Sequence, residues 1–131
     1  MRGWLRYAHH DGRAFELESM MECARLFVGE HDWTAFSSAQ CDSETKLRTI
    51  TALTIAARWD ERAHCQLIEI AVSADGFLRY MVRSIAGTLM AVGRGEMDDK
   101  LVRRAIQDGD RSLVGATAPA CGLTLVSVRY E

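Results

Sequence analysis

The sequence predicts an α+β domain: an antiparallel-rich sheet with helices packed on one face, in the ferredoxin-like order β-α-β-β-α-(α)-β. Three observations carry this expectation. Two segments rich in β-branched residues, Arg48–Trp59 and Gln66–Ser73, flank a short polar turn. A long stretch, Leu78–Val92, places its apolar residues at helical spacing. A final stretch, Leu123–Arg129, alternates as a strand does.

Taken in order, Trp4–Tyr7 reads as a short strand or the trimmed end of one. In Leu17–Val28, the residues Leu17, Met20, Met21, Ala24, Phe27 and Val28 recur at three and four positions, which is one face of a helix, and Gly29 supplies a stop. Within Arg48–Trp59, strict alternation would send Ile50, Ala52 and Thr54 to one side and Thr51, Leu53 and Ile55 to the other. Asp60–Ala63 joins this strand to the next as a hairpin, and Asp75-Gly76 breaks the chain again. The helix over Leu78–Val92 carries a stripe of Leu78, Met81, Val82, Ile85, Leu89 and Val92, with Gly93 and Gly95 at its end. Asp98 is placed to cap a shorter helix reaching Gln107.

The 131 residues suffice for one domain with its own core, and 48% hydrophobic residues is ordinary for a globular chain. There is one proline, Pro119, and no repeat, low-complexity tract or linker, so residues 1–131 read as a single domain. No apolar run approaches the roughly 18–20 residues of a membrane span. The opening MRGWLRYAHHDGR has no signal-peptide pattern, and the expected location is cytoplasmic. Cys23, Cys41, Cys65 and Cys121 are widely spaced, without a CxxC pair or zinc-finger histidines, and read as reduced thiols. A net charge of −2 argues against a strongly basic nucleic-acid binder but leaves room for a local basic patch.

Four groups of residues invite chemistry. Arg79 and Arg83 are four apart, so on a helix they share a side and flank the apolar stripe. They either snorkel over the core edge or hold a carboxylate or phosphate at a cleft rim. In FVGEHDWTAF, Phe27–Phe36, His31 and Asp32 are adjacent and diverge; the segment reads as a loop anchored by Trp33 and Phe36. GATAPACG, Gly115–Gly122, lacks the lysine of a phosphate-binding loop and reads as a closely packed segment delivering Leu123. Asp110-Arg111 offers either a local ion pair or an RNA contact. Lys46, Arg48, Arg94, Arg103 and Arg104 add positive charge of undetermined grouping.

Three segments together resemble the C-terminal half of the tRNA pseudouridine synthase A family. FVGEHDWTAF is similar to the family's F-x-G-x-H-D-F-x-x-F, and FLRYMVRSIAGTLMAVGRG to F-L-x-x-M-V-R-N-I-V-G-T-L. DRSLVGATAPACGLTLVSVRY is similar to D-R-S-x-A-G-x-T-A-P-x-x-G-L-x-L-x-x-V-x-Y. The segments come in the family's order, and the likeness runs from about Leu17 onward. Trp33 stands where the family has phenylalanine and Ser84 where it has asparagine. The larger departure is that no R-T-D-x-G-V-H-type stretch occurs in these residues. In the family that stretch lies in the N-terminal half and carries the catalytic aspartate.

The resemblance implies an isomerase that converts uridine to pseudouridine in the anticodon stem–loop of tRNA. The aspartate attacks the target uridine while the base detaches, turns and reattaches through carbon. Arg83 is then the arginine that pairs with that aspartate, and Leu123 the apolar residue at the active site. Arg79, Arg83 and Arg111 are the expected RNA-binding residues, because they fall in the two segments that should face the cleft. Residues 1–16 are expected to be a trimmed inter-domain strand or linker. No metal or organic cofactor is implied. The implied partners are tRNA, the N-terminal half and, as a further option, a second copy of the chain, with no membrane. This fragment alone is expected to be inactive. The rival readings are a stand-alone RNA-binding module and a purely structural dimerisation domain.

Overall fold

The computed structural model describes residues 2–11, 15–38, 45–62 and 64–129, with the backbone alone at 2, 4, 7–11 and 125–129. Its elements are β1 (Arg2–Asp11), α1 (Leu17–Ala24), β2 (Gly29–Asp32), β3 (Leu47–Asp60), β4 (Cys65–Ala74), α2 (Met81–Gly93), α3 (Asp99–Asp108) and β5 (Leu123–Arg129). The strands form one sheet in the order β2-β3-β4-β1-β5, and every pairing is antiparallel. Apart from β2, this is the split arrangement of the ferredoxin-like unit: β1 is inserted between β4 and β5. Residues of all three helices share one core with Ile50, Ile55, Ile68, Ile70 and Val72 of the sheet.

The fold class follows the expectation; several boundaries do not. The opening strand is longer than Trp4–Tyr7, because β1 gains ladder bonds from β4 along one edge and β5 along the other. The expected helix over Leu17–Val28 stops as an α-helix at Ala24 and tightens into a 3-10 turn over Arg25–Phe27. Gly29, with φ of +109°, then turns the chain into β2, where the sequence predicts a loop. Along β3, a register shift between Ile50 and Ala52 breaks the alternation. Ile50 therefore joins Leu53, Ile55 and Ala57 against the helices, instead of opposing Leu53 and Ile55.

The long helix begins at Met81, three residues later than expected. Tyr80 lies in the left-handed region, with φ of 67° and ψ of 2°, so Leu78–Tyr80 form a turn rather than a first helical turn. From Ile85 to Gly93 every α2 residue is buried, because α1, the sheet and the loop after α3 cover it. Gly93 is the last residue of α2, as expected, and is also closely packed: a Cβ there would lie 2.6 Å from Met20 Sδ on α1. The left-handed residue that ends the segment is Gly95. Asp98 caps α3 as expected, accepting from the Leu101 N–H at 3.0 Å, a contact worth about 1 kcal/mol.

Among the described glycines, the closest backbone approach lies where residues 115–118 cross α2. A Cβ on Gly87 would sit 1.8 Å from the Ala116 carbonyl oxygen, and one on Gly115 would sit 2.9 Å from Thr88 Cα. Two backbone N–H groups of the loop fasten the crossing: Gly115 N–H donates to Thr88 Oγ1 at 3.0 Å, and Ala118 N–H donates to the Arg83 carbonyl at 3.0 Å. Gly87→Ala isolates this contact. Helix propensity alone favours alanine by about 0.5–1 kcal/mol, whereas a backbone forced to move costs about 1–3 kcal/mol. The variant should be less stable by about 1–2 kcal/mol in urea unfolding. A midpoint at or above that of the wild type would contradict the close approach.

Candidate functional site

The crossing of loop and helix determines where Arg83 goes. Its Nε–H donates to the Ala118 carbonyl at 2.8 Å, while its own carbonyl accepts from Ala118 N–H. The residue is half-buried, and its guanidinium carbon lies 4.7 Å from the centroid of the Tyr80 ring. The stem is thereby held at two points. The terminal nitrogens, which form the fork that suits a carboxylate or phosphate, pair with no acidic side chain among the described residues.

Arg79 reaches the same place by another route. It is in the turn before α2, so the expected pairing across one helix turn does not exist. Tyr80 brings the two arginines together instead: the Arg79 guanidinium carbon lies 5.1 Å from the same ring centroid. The Arg79 carbonyl accepts from Ser38 N–H at 2.9 Å. One residue earlier, the Ser37 carbonyl accepts from Arg111 Nε–H at 3.0 Å. Ser37-Ser38 therefore tie Arg111 to the turn that carries Arg79. The structure brings Arg79 and Arg83 to one ring and anchors Arg111 on the neighbouring segment. The N-terminus of α2, the positive end of its dipole, adds to this cationic region.

Of the two options for Asp110-Arg111, the local ion pair is not formed. Asp110 Oδ1 accepts from the Ser112 N–H at 2.9 Å and the Ser112 hydroxyl at 2.7 Å, closing a turn that directs Arg111 toward Ser37. The other charges are dispersed. Arg94 is chelated by Glu96, with Nε–Oε1 and Nη2–Oε2 both at 3.1 Å. Arg103 and Arg104 are exposed on α3.

Leu123 is half-buried at the start of β5, opposite Tyr7 of β1, and packs against the core. It sits at the far end of the loop segment that leaves Arg83 at Ala118. FVGEHDWTAF builds structure: Phe27, Trp33 and Phe36 are fully buried with ring centroids 5.3–5.8 Å apart. Trp33 uses the N–H that phenylalanine lacks, donating to the Arg48 carbonyl at 2.9 Å. Cys23 is buried, and burial pushes its thiol up to about 12. Cys65 and Cys121 are also free thiols; Cys41 lies outside the described residues. A cavity of about 330 Å³ beneath residues 112–116 does not include Arg79, Arg83 or Arg111, which occupy an open face. Sequence reasoning missed Tyr80, Ser37 and Ala118 as organisers of the arginines. Tyr80 alone carried a signal, an aromatic residue between two arginines.

Two carboxylates here titrate below the ordinary value of 3.8. The Thr34 hydroxyl and N–H hold down Asp32, helped by Lys46; the Ser112 hydroxyl and N–H hold down Asp110, helped by Arg104. A folded pKa below the unfolded one contributes stability above the unfolded value and loses it as pH falls through the folded value. The stability advantage of the wild type over Asp32→Asn should therefore shrink between about pH 5 and pH 2. Urea midpoints across that range check this. A constant difference would contradict the turn as the source of the shift.

Residues 23–131 match the family described as tRNA pseudouridine synthase. The tRNA pseudouridine synthase A of Pelobacter propionicus is 40% identical over 124 residues, covering 95% of this chain and 48% of that protein. The tRNA pseudouridine synthase A 2 of Clostridium perfringens shows the same identity and coverage. The Nitrosomonas europaea synthase A is 36% identical over 129 residues, which is 98% of this chain and 43% of that protein. The chain spans about half the length of the curated relatives it matches. With its ferredoxin-like sheet, its close-packed loop on α2 and this match over most of its residues, the chain belongs to the tRNA pseudouridine synthase family.

Proposed function

We propose that this chain is the C-terminal wall of a tRNA pseudouridine synthase cleft, and that its Arg83 pairs with a nucleophilic aspartate supplied by an N-terminal half. The observation that carries the reading is the state of Arg83. Its stem is fixed by Ala118 and Tyr80, and its fork has no acidic partner among the described residues. A guanidinium so held favours the ionised form of an incoming carboxylate and fixes its direction. Both effects serve a nucleophile that attacks a uridine in the anticodon stem–loop of tRNA. Leu123 supplies an apolar surface beside the reacting base, and Arg79 and Arg111 meet phosphates. Residues 1–131 act as one domain, with residues 1–16 leading from the N-terminal half. The role places the protein in the cytoplasm; no helix among the described residues is long and apolar enough to cross a membrane.

The chain alone should make no pseudouridine, because a missing covalent nucleophile removes a step rather than slowing it. Incubation with unmodified tRNA followed by pseudouridine-specific chemical mapping checks this. Turnover above a protein-free control would defeat the half-site reading. RNA binding by the chain alone should be weak, with Kd on the order of 10⁻⁴–10⁻⁶ M at physiological salt, and should weaken as salt rises. Fluorescence anisotropy across a salt series measures it. Nanomolar, salt-insensitive binding to one tRNA would instead favour a self-sufficient RNA-binding module.

A further inference from the structure

Tyr80 occupies a backbone position that disfavours it. A bulky residue at φ of 67° is a genuine outlier, and glycine or asparagine would be expected there. Burial does not explain the choice, since the residue remains 40% exposed. Nor does capping, since its side chain makes no cap bond to α2. What the ring does have is cationic neighbours on both sides in sequence: Arg79 at 5.1 Å and Arg83 at 4.7 Å from its centroid. Strained positions persist where the surroundings over-determine them, and they concentrate at functional sites.

We propose that Tyr80 is a positioning residue: its ring holds the guanidinium groups of Arg79 and Arg83 so that both present their nitrogen forks on one face. The left-handed turn swings the ring beneath the first turn of α2, where Arg83 lies three residues on, while Arg79 approaches from the preceding residue. Tyr80 and the Ala118 carbonyl fix the Arg83 stem from two directions and leave its terminal nitrogens for an anionic partner. Stacking suits arginine because its planar ion can lie on a ring and still donate in its own plane. The functional consequence rests on the reading of Arg83 as a carboxylate-pairing residue; the positioning itself does not.

The test uses this chain and removes the ring without straining the backbone. Tyr80→Gly and Tyr80→Asn both tolerate positive φ, and Tyr80→Phe keeps the ring. The readout is the NMR signal of the Arg83 Nε–H, which responds to ring current and to the bond with Ala118. Tyr80→Gly and Tyr80→Asn should move it toward the position of a free arginine and speed its exchange with solvent, while Tyr80→Phe should retain the wild-type signal. Melting of Tyr80→Gly at or above the wild-type temperature should accompany this, because the strained residue is gone. An Arg83 signal unmoved in both ring-free variants would overturn the proposal. Affinity for an anticodon stem–loop RNA, measured in parallel, should fall about fivefold in Tyr80→Gly, the scale of a cation–π contact. Arg83→Ala, in this chain joined to the N-terminal half of a relative, is the control for the functional reading. If it leaves kcat at the wild-type value, that reading fails, while the NMR signal still decides the role of Tyr80.

Discussion

The approach of residues 115–118 to α2 is the constraint on which the rest of this face depends. Gly87 and Gly115 remove the two side chains that would keep the backbones apart. Once they touch, Ala118 lies level with Arg83, and a two-way exchange of bonds becomes possible: N–H to carbonyl, and guanidinium to carbonyl. The same crossing delivers Leu123 to the β1 edge. The small residues of IAGTL and GATAP are thus one contact seen from its two sides.

A net charge of −2 coexists with a cationic face because the arginines are gathered rather than numerous. Backbone carbonyls do the gathering. Ser37 and Ala118 each accept from a guanidinium, which fixes position without neutralising charge. The acidic residue next to Arg111 in sequence, Asp110, is engaged locally, closing its turn with Ser112. The face is open, so an anion there is well screened. Two unit charges at 4 Å attract by about 1 kcal/mol in water and about 4 kcal/mol in the partial shelter of a protein surface. On the proposed reading, a second wall that excludes water would strengthen a pair between Arg83 and an incoming carboxylate severalfold.

Much of the fold was legible because it depends on local pattern. The β-branched hairpin, the apolar stripe of α2 and the Asp98 cap each signal themselves within a dozen residues. What escaped depends on tertiary context. The bulge after Ile50 is imposed by pairing with β4 and leaves no mark in RTITALTI. β2 is four residues long and exists only because the edge of β3 accepts it. The left-handed Tyr80 moved the start of α2, and with it the supposed helical pairing of Arg79 and Arg83. The arginines do come together, but through an aromatic ring rather than helical periodicity. The Arg111–Ser37 bond spans 74 residues and could not be read from spacing at all.

The central claim is that Arg83 is one member of an ion pair whose other member comes from an N-terminal half. The most direct measurement joins this chain in frame to the N-terminal half of a relative, such as the Pelobacter propionicus synthase, and assays pseudouridine in tRNA. The account predicts that the joined protein forms pseudouridine and that Arg83→Ala within it lowers kcat at least a hundredfold, at the low end for groups acting directly on a reaction centre. Wild-type kcat in the Arg83→Ala protein would contradict the account.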